Sequence, residues 1–187
     1  WLIGHNYLLY LYCYKKGYRH LSYFINSYVW TKKEYIDMEK GLVNILTPAY
    51  NCASLITRLL DSVLEQTYPN IEMFVVDDGS TDDTANVVKS YINKFLDRGY
   101  KLNYIYQSNQ GQSYAINNGL KLLNGEYLLW PDSDDWYKDS ESIQTIIGAL
   151  SETDDSVGIA RCQYERIEEE TMNTVHISKY LKKYNVD

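Results

Sequence analysis

Ile71-Glu72-Met73-Phe74-Val75-Val76-Asp77-Asp78-Gly79-Ser80 decides the fold: a short run rich in apolar and β-branched residues that stops at two carboxylates, a glycine and a serine. The run predicts a strand, and the break predicts a strand-to-helix turn. Beyond it Val87, Val88, Tyr91, Ile92 and Phe95 fall at helical spacing, with Ser80 and Asp83 placed like a capping box that uses Asp in place of Glu.

The same alternation recurs on both sides. Upstream, residues 42–47 predict a strand, and Leu55, Ile56, Leu59, Leu60, Val63 and Leu64 mark one face of a helix. Downstream, residues 102–106 predict a strand, 113–123 a helix and 127–130 a further strand. Strands alternating with helices imply an α/β fold with right-handed crossovers, a mostly parallel sheet, and ligands bound outside the carboxyl ends of the strands. Four polar clusters each follow a predicted strand: Tyr50-Asn51, Asp77-Asp78-Gly79-Ser80, Asn109-Gln110-Gly111 and Asp132-Ser133-Asp134-Asp135. All four are therefore expected on one edge of the sheet. A helix to about residue 150 and a strand over 157–164 are expected next, while the acidic stretch 165–170 is assigned no structure.

Composition sets outer limits. With 45% hydrophobic and 23% charged residues and only three prolines, the 187-residue chain is globular, with one main domain as the default. Its net charge of −7 is uneven: residues 1–40 carry six Lys/Arg against three Asp/Glu, and residues 41–187 carry 12 against 22. An acidic body argues against a surface that tracks nucleic-acid phosphates, and a diphosphate held there needs something to offset repulsion, which a bound divalent cation would do. Cys13, Cys52 and Cys162 match no zinc or disulfide spacing, which points to a reducing, cytoplasmic setting. No segment reaches the roughly 18–20 apolar residues of a membrane span, and no signal-peptide pattern is present.

Residues 1–40 stand outside the alternation and are expected to form a helical, tyrosine-rich extension ahead of a domain spanning 41–187. Residues 8–12 with flanking tyrosines, then Lys15, Lys16 and Arg19, suit either packing on the domain or another chain, or peripheral contact with the inner face of a membrane.

Asp132-Ser133-Asp134 at a strand end places two hard oxygen ligands close enough to hold one Mg²⁺ or Mn²⁺ ion, which keeps waters and takes further ligands from phosphates. The plainer alternative is a polar turn whose Asp135 or Asp139 caps the next helix. Asp77-Asp78-Gly79-Ser80 likewise serves a turn, a ligand, or both: a carboxylate only accepts hydrogen bonds and so selects a ring N–H such as that of uracil. Tyr50 either stacks on a base or packs.

Ile45-Leu46-Thr47-Pro48-Ala49-Tyr50-Asn51, Ser62-Val63-Leu64-Glu65-Gln66-Thr67-Tyr68-Pro69, Val75-Val76-Asp77-Asp78-Gly79-Ser80-Thr81-Asp82 and Asp132-Ser133-Asp134-Asp135-Trp136 together resemble the inverting family 2 glycosyltransferases of GT-A (Rossmann-like) fold. The resemblance covers residues 42 to about 140. It implies that Pro48, Tyr50 and Asn51 border the nucleoside, and that Asp78 binds the uracil ring with Asp77 behind it. It further implies that Asp132 and Asp134 serve the ribose, diphosphate and metal, Asp134 as direct ligand, with Ser133 between them. Asn109 and Gly111 match the family's glycine-containing loop, but Ile116 stands where many members carry an arginine.

The implied reaction moves a sugar from a nucleoside diphosphate, a UDP-sugar by resemblance, to a glycan or lipid-linked acceptor. The family's catalytic base lies well downstream of the Asp-x-Asp. It is expected beyond Asp187, together with the acceptor part; Glu165, followed by Glu168, Glu169 and Glu170, is the weak candidate within the chain. The rival reading is a nucleotide-sugar-binding module without transferase activity. A phosphate-handling receiver or phosphatase is disfavoured, because Pro48-Ala49-Tyr50-Asn51 follows the first clear strand.

Overall fold

The computed structural model describes residues 10–13, 38–152, 157–161, 165–168, 171–172, 174–177 and 182–185. In chain order they form β1 (Tyr10–Cys13), β2 (Glu39–Ala49), α1 (Ile56–Leu64), β3 (Ile71–Asp78), α2 (Thr84–Ser90), α3 (Ile92–Arg98), β4 (Lys101–Gln107) and α4 (Gln112–Leu120). There follow β5 (Gly125–Trp130), α5 (Ser142–Ser151), β6 (Val157–Arg161), β7 (Glu165–Ile167), β8 (Thr174–Ile177) and β9 (Lys182–Asn185).

One sheet has the order β4-β3-β2-β5-β1-β6-β9, and β7 pairs with β8 as a separate antiparallel ribbon. The pairs β4/β3, β3/β2 and β2/β5 are parallel, as the alternation predicted; β1 runs antiparallel between β5 and β6, and β9 antiparallel to β6. The chain thus builds outward from β2 to β4 and returns to the other side of β2 for β5. Right-handed crossovers in opposite directions put their helices on opposite faces of a sheet. The packing follows that rule. Val43, Ile45, Met73, Val75 and Leu129 meet α1, α2, α3 and α5 on one face, while Leu46, Phe74, Val76 and Leu128 meet Ala115 and Ile116 of α4 on the other. Covered on both faces, β2 is buried continuously from Leu42 to Ala49.

Three expectations are corrected. Tyr10–Cys13 is a strand rather than part of a helix: its tyrosine- and leucine-rich composition suits a pleated surface, and it covers the flank of β5 that would otherwise be an open edge. Lys15, Lys16 and Arg19, on which the membrane-contact reading rested, lie outside the described residues, as does the rest of the predicted extension up to residue 37. The single helix expected after β3 breaks at Tyr91 into α2 and α3, with Val88, Tyr91 and Phe95 still buried on one side. The expected capping box is absent. Asp83 is the N-cap but makes no side-chain cap bond, its carboxylate accepting from Asn86 at 2.7 Å, and Ser80 is engaged elsewhere. Part of the stretch left without structure forms β7. Among the described residues no helix is long and apolar enough to cross a membrane.

The junction of α4 and β5 is fixed by a polar side chain inside the sheet. Asn44, 1% exposed in β2, accepts the backbone N–H groups of Asn124 (3.0 Å) and Gly125 (2.5 Å) through Oδ1. Gly125 leaves room for this: a Cβ there would lie 2.7 Å from Asn44 Oδ1 and 2.8 Å from the Leu42 carbonyl oxygen. Replacing Asn44 by leucine keeps the volume but strands one buried and one half-buried donor, a buried one costing about 1–3 kcal/mol. Asn44→Leu is expected to lower unfolding free energy by about 2–4 kcal/mol in denaturant titration; a change below about 0.5 kcal/mol would contradict this role.

Candidate functional site

The loops after β2, β3, β4 and β5 meet at the carboxyl edge of the sheet, each in contact with the next in a closed ring. The first link is Asn51. Its backbone sits in the left-handed region (φ 47°), which asparagine tolerates better than most residues. Its N–H donates to Ser80 Oγ (2.9 Å), and its Oδ1 accepts the N–H of Thr81 (2.8 Å). Beneath it, the buried Thr84 hydroxyl accepts the Cys52 N–H (3.0 Å) and donates to the Asp82 carboxylate, which also accepts the N–H of Ala53 (3.1 Å). The loops after β2 and β3 thereby form one unit.

Asp77 and Asp78 provide the second link. Successive strand residues face opposite sides of the sheet, so these neighbours serve different loops. Asp77, 1% exposed, accepts the N–H of Ser80 (2.8 Å), closing its own turn, and the hydroxyl of Tyr104 (2.6 Å). Burial and this bond to Asp77 push the Tyr104 phenol well above its ordinary range. Asp78, 4% exposed on the α4 side, accepts from Gln107 Nε2 (2.6 Å), the N–H of Gln110 (2.9 Å) and the N–H of Gly111 (2.7 Å). Gly79 (φ 78°) lets the two loops touch, since a Cβ there would lie 2.7 Å from the backbone nitrogen of Asn109.

The third link runs from Gln112, at the start of α4, to Asp132: Nε2 donates to Oδ1 at 3.0 Å. The fourth closes the ring, with Ser133 beside the Cys52 thiol, on which it acts against the effect of burial. Burial pushes that thiol up, so Cys52 is a packing group rather than a nucleophile.

Within Asp132-Ser133-Asp134-Asp135 the labour is divided. Asp135 holds the turn, its carboxylate accepting the Asp132 N–H (3.2 Å) and its own N–H donating to the Asp132 carbonyl (3.2 Å). Asp139 prepares α5, accepting from the N–H of Glu141 (3.0 Å) and the hydroxyl of Ser142 (2.9 Å). Burial and the neighbouring Asp134 carboxylate push Asp132 up to about 6, against the Gln112 bond. Burial together with Asp132 and Asp134 pushes Asp135 up to about 8. Crowded, partly buried hard-oxygen donors of this kind fit a divalent cation, whose charge relieves their mutual repulsion. Among the described residues no group of three or more His, Cys, Asp or Glu side chains is arranged to hold a metal ion.

The remaining candidates are placed as follows. Pro48 is buried in β2 opposite Val76, whereas Tyr50 is 53% exposed at the mouth of the ring. Asn109 and Gly111 lie on the exposed loop before α4. Glu165 sits on β7, paired with Lys138 of the loop after β5 and accepting from Thr174; the Lys138 ammonium holds its carboxyl below the usual range. Several supporting residues carry little signal in the sequence. Gln107, Gln112, Tyr104 and Thr84 each take a partner 20 or more positions away, which no local pattern announces. The Ser62–Pro69 motif also acts as structure: Gln66, fully buried, donates to the Asp139 carbonyl (2.7 Å) and accepts the N–H of Ile143 (3.0 Å), bracing the segment behind the acidic turn.

A parallel α/β sheet with paired carboxylates on the loops at its carboxyl edge defines a Rossmann-like domain of GT-A type. The chain belongs to glycosyl transferase family 2, whose family model matches residues 44–186. It is 39% identical over 130 residues to a glycosyltransferase of Rickettsia typhi, a match covering 70% of this chain and 38% of that protein. With the glycosyltransferase GlyA of Streptococcus pneumoniae it shares 34% identity over 146 residues, covering 76% and 20%. The chain thus spans well under two thirds of either relative. Among solved structures, S. aureus TarS in complex with UDP-GlcNAc is similar with TM-score 0.53 and 33% identity, covering 59% of this chain and 31% of that one. The mannosyltransferase PcManGT of Pyrobaculum calidifontis, in complex with GDP-Man and Mn²⁺, is similar with TM-score 0.55 and 30% identity, covering 62% and 33%.

Asp78→Asn tests the second link. The isosteric amide places an NH₂ among three donors, so the loop before α4 loses an anchor. Hydrogen bonds to a charged acceptor contribute about 1.5–3 kcal/mol each, and a loss of about 2–3 kcal/mol is expected in denaturant unfolding, with faster amide exchange at Gln110 and Gly111. Unchanged stability and exchange would refute the assignment.

Proposed function

We propose that this domain binds a nucleoside-diphosphate sugar, with a UDP-sugar as donor class, and serves transfer of that sugar with inversion to a glycan or lipid-linked acceptor. The observation that carries the proposal is the closed ring of four loops, which gathers an exposed aromatic ring, an acceptor carboxylate and a pair of crowded carboxylates at one sheet edge. The complexes of TarS with UDP-GlcNAc and of PcManGT with GDP-Man and Mn²⁺ support it.

In this reading Tyr50 offers its face to the base, Pro48 and Asn51 border the nucleoside, and Asp78 accepts a ring N–H. Asn109, Gly111 and Ser133 line the path of the ribose and diphosphate. Asp132 and Asp134 hold Mn²⁺ or Mg²⁺, with Asp134 the direct ligand; bound there, the ion supplies charge neutralisation for the departing diphosphate. Gln112 orients Asp132, and Asp135 keeps the turn in shape. Ion-paired with Lys138, Glu165 has its proton affinity lowered, which suits it to tethering β7 to the acidic turn better than to acting as general base.

Calorimetric titration of UDP with and without Mn²⁺, on the wild-type chain and on Asp134→Ala, tests the proposal. Binding that requires the metal and weakens by more than about tenfold in the variant is expected, a difference of about 1.4 kcal/mol. Binding indifferent to both would remove the metal role, and no binding under any condition would overturn the donor site. Release of sugar from a UDP-sugar that stops in Asp134→Ala separates a transferase from a binding module.

A further inference from the structure

Asp78 is held by more than its backbone donors. Gln107, 8% exposed at the end of β4, donates from Nε2 to Asp78 Oδ1 at 2.6 Å, and its Oε1 accepts from Asn118 Nδ2 at 2.5 Å. Asn118 Oδ1 in turn accepts from Lys121 Nζ at 3.1 Å. The chain runs Lys121 to Asn118 to Gln107 to Asp78, each member donating to the next.

Its direction is set from both ends. A lysine ammonium has donors and no acceptor, and an ionised carboxylate has acceptors and no donor. With Lys121 at one end, the oxygen of Asn118 must face it, so the Asn118 NH₂ faces Gln107. The Gln107 oxygen must then face Asn118, which leaves its NH₂ for Asp78. Neither amide can turn over without setting two acceptors or two donors against each other, and aligned bonds of this kind reinforce one another. The relay reaches the site from the solvent end of α4, on the face where β3 presents Asp78.

The consequence lies at the far oxygen. About four lone-pair sites are present on a carboxylate. Asp78 Oδ1 accepts from Gln107 and Gln110, and Oδ2 from Gly111 alone, which leaves one acceptor position on Oδ2 and no donor. We infer that Gln107, oriented through Asn118 and Lys121, is the positioning residue that presents Asp78 as a one-bond acceptor. It thereby makes the site select a nucleotide whose base carries a ring N–H, uracil N3–H or guanine N1–H, over cytosine, whose ring nitrogen only accepts. The inference rests on the nucleotide-binding reading of the site and adds the element that sets its choice of base.

The test compares UDP and CDP, measured by calorimetry with Mn²⁺ present, on the wild-type chain, Asn118→Asp and Gln107→Met. CDP shares the ribose, diphosphate and metal contacts, so it reports general damage while UDP reports the base contact. In Asn118→Asp the new carboxylate stays paired with Lys121 but accepts only, so Gln107 turns its NH₂ outward and sets its oxygen against Asp78. Both variants are expected to lower UDP affinity about tenfold, the scale of one hydrogen bond to a charged group, while CDP affinity stays within about twofold. Equal losses for the two nucleotides, or no loss for either, would overturn the inference by reducing Gln107 to a structural support. A wild-type chain that binds UDP and CDP equally would overturn it directly. If the wild-type chain binds neither, the nucleotide reading itself fails and the inference falls with it, an outcome distinct from UDP binding that the variants leave unchanged.

Discussion

Two adjacent carboxylates at the end of one buried strand face opposite sides of a sheet, and the arrangement of the site depends on that pleat. Asp77 is turned toward the α1–α3 face and closes the turn that follows it through the Ser80 N–H, with Tyr104 behind. Asp78 is turned toward α4 and fastens the next loop through Gln110 and Gly111. A strand one residue longer or shorter would turn each carboxylate to the other face and leave one of the two sets of donors without an acceptor. Because each buried N–H must find a partner, a one-residue shift is excluded more strongly here than by hydrophobic patterning alone.

The reversal of chain direction at β2 extends the same logic to the acidic turn. Since β4 returns to β5 across the opposite face, α4 passes over β3 and β2 and brings its first turn beside the loop after β5. Gln112 then reaches Asp132, and Ser133 reaches back to Cys52. The ring of loops lies where the chain path changes sides, the position at which open α/β sheets bind ligands. Ser62 of α1 and Gln66 just beyond its end brace the rear of the acidic turn, with Ser62 Oγ accepting the N–H of Tyr137 at 3.0 Å. A local carboxylate pair is thus supported from α4 and from α1 with the segment that follows it.

Much of this was legible in the sequence because it is written in local periodicity. Strands between residues 42 and 130 read as short apolar runs and helices as 3.6-residue patterns, and the polar clusters mark the strand ends without knowledge of any partner. What stayed hidden depends on long-range choice. Tyr10–Cys13 is a strand because β5 lies beside it, more than a hundred positions away in the chain, and its local composition also suits a helix. The spacing of Ser80 and Asp83 suggests a cap, but Asn51 takes the Ser80 hydroxyl, and no local rule anticipates that competition. The carboxylates of residues 132–135 look alike in sequence; only the fold assigns Asp135 to the turn and leaves Asp132 and Asp134 side by side.

Four loops form one site because they are linked into one ring. Hydrogen–deuterium exchange of the chain with and without UDP and Mn²⁺ tests it most directly. If the ring is the site, residues 50–53, 79–84, 108–112 and 131–137 gain protection together on ligand addition, while the opposite edge of the sheet does not change. Protection confined to a single loop, or appearing at the amino ends of the strands, would contradict the account.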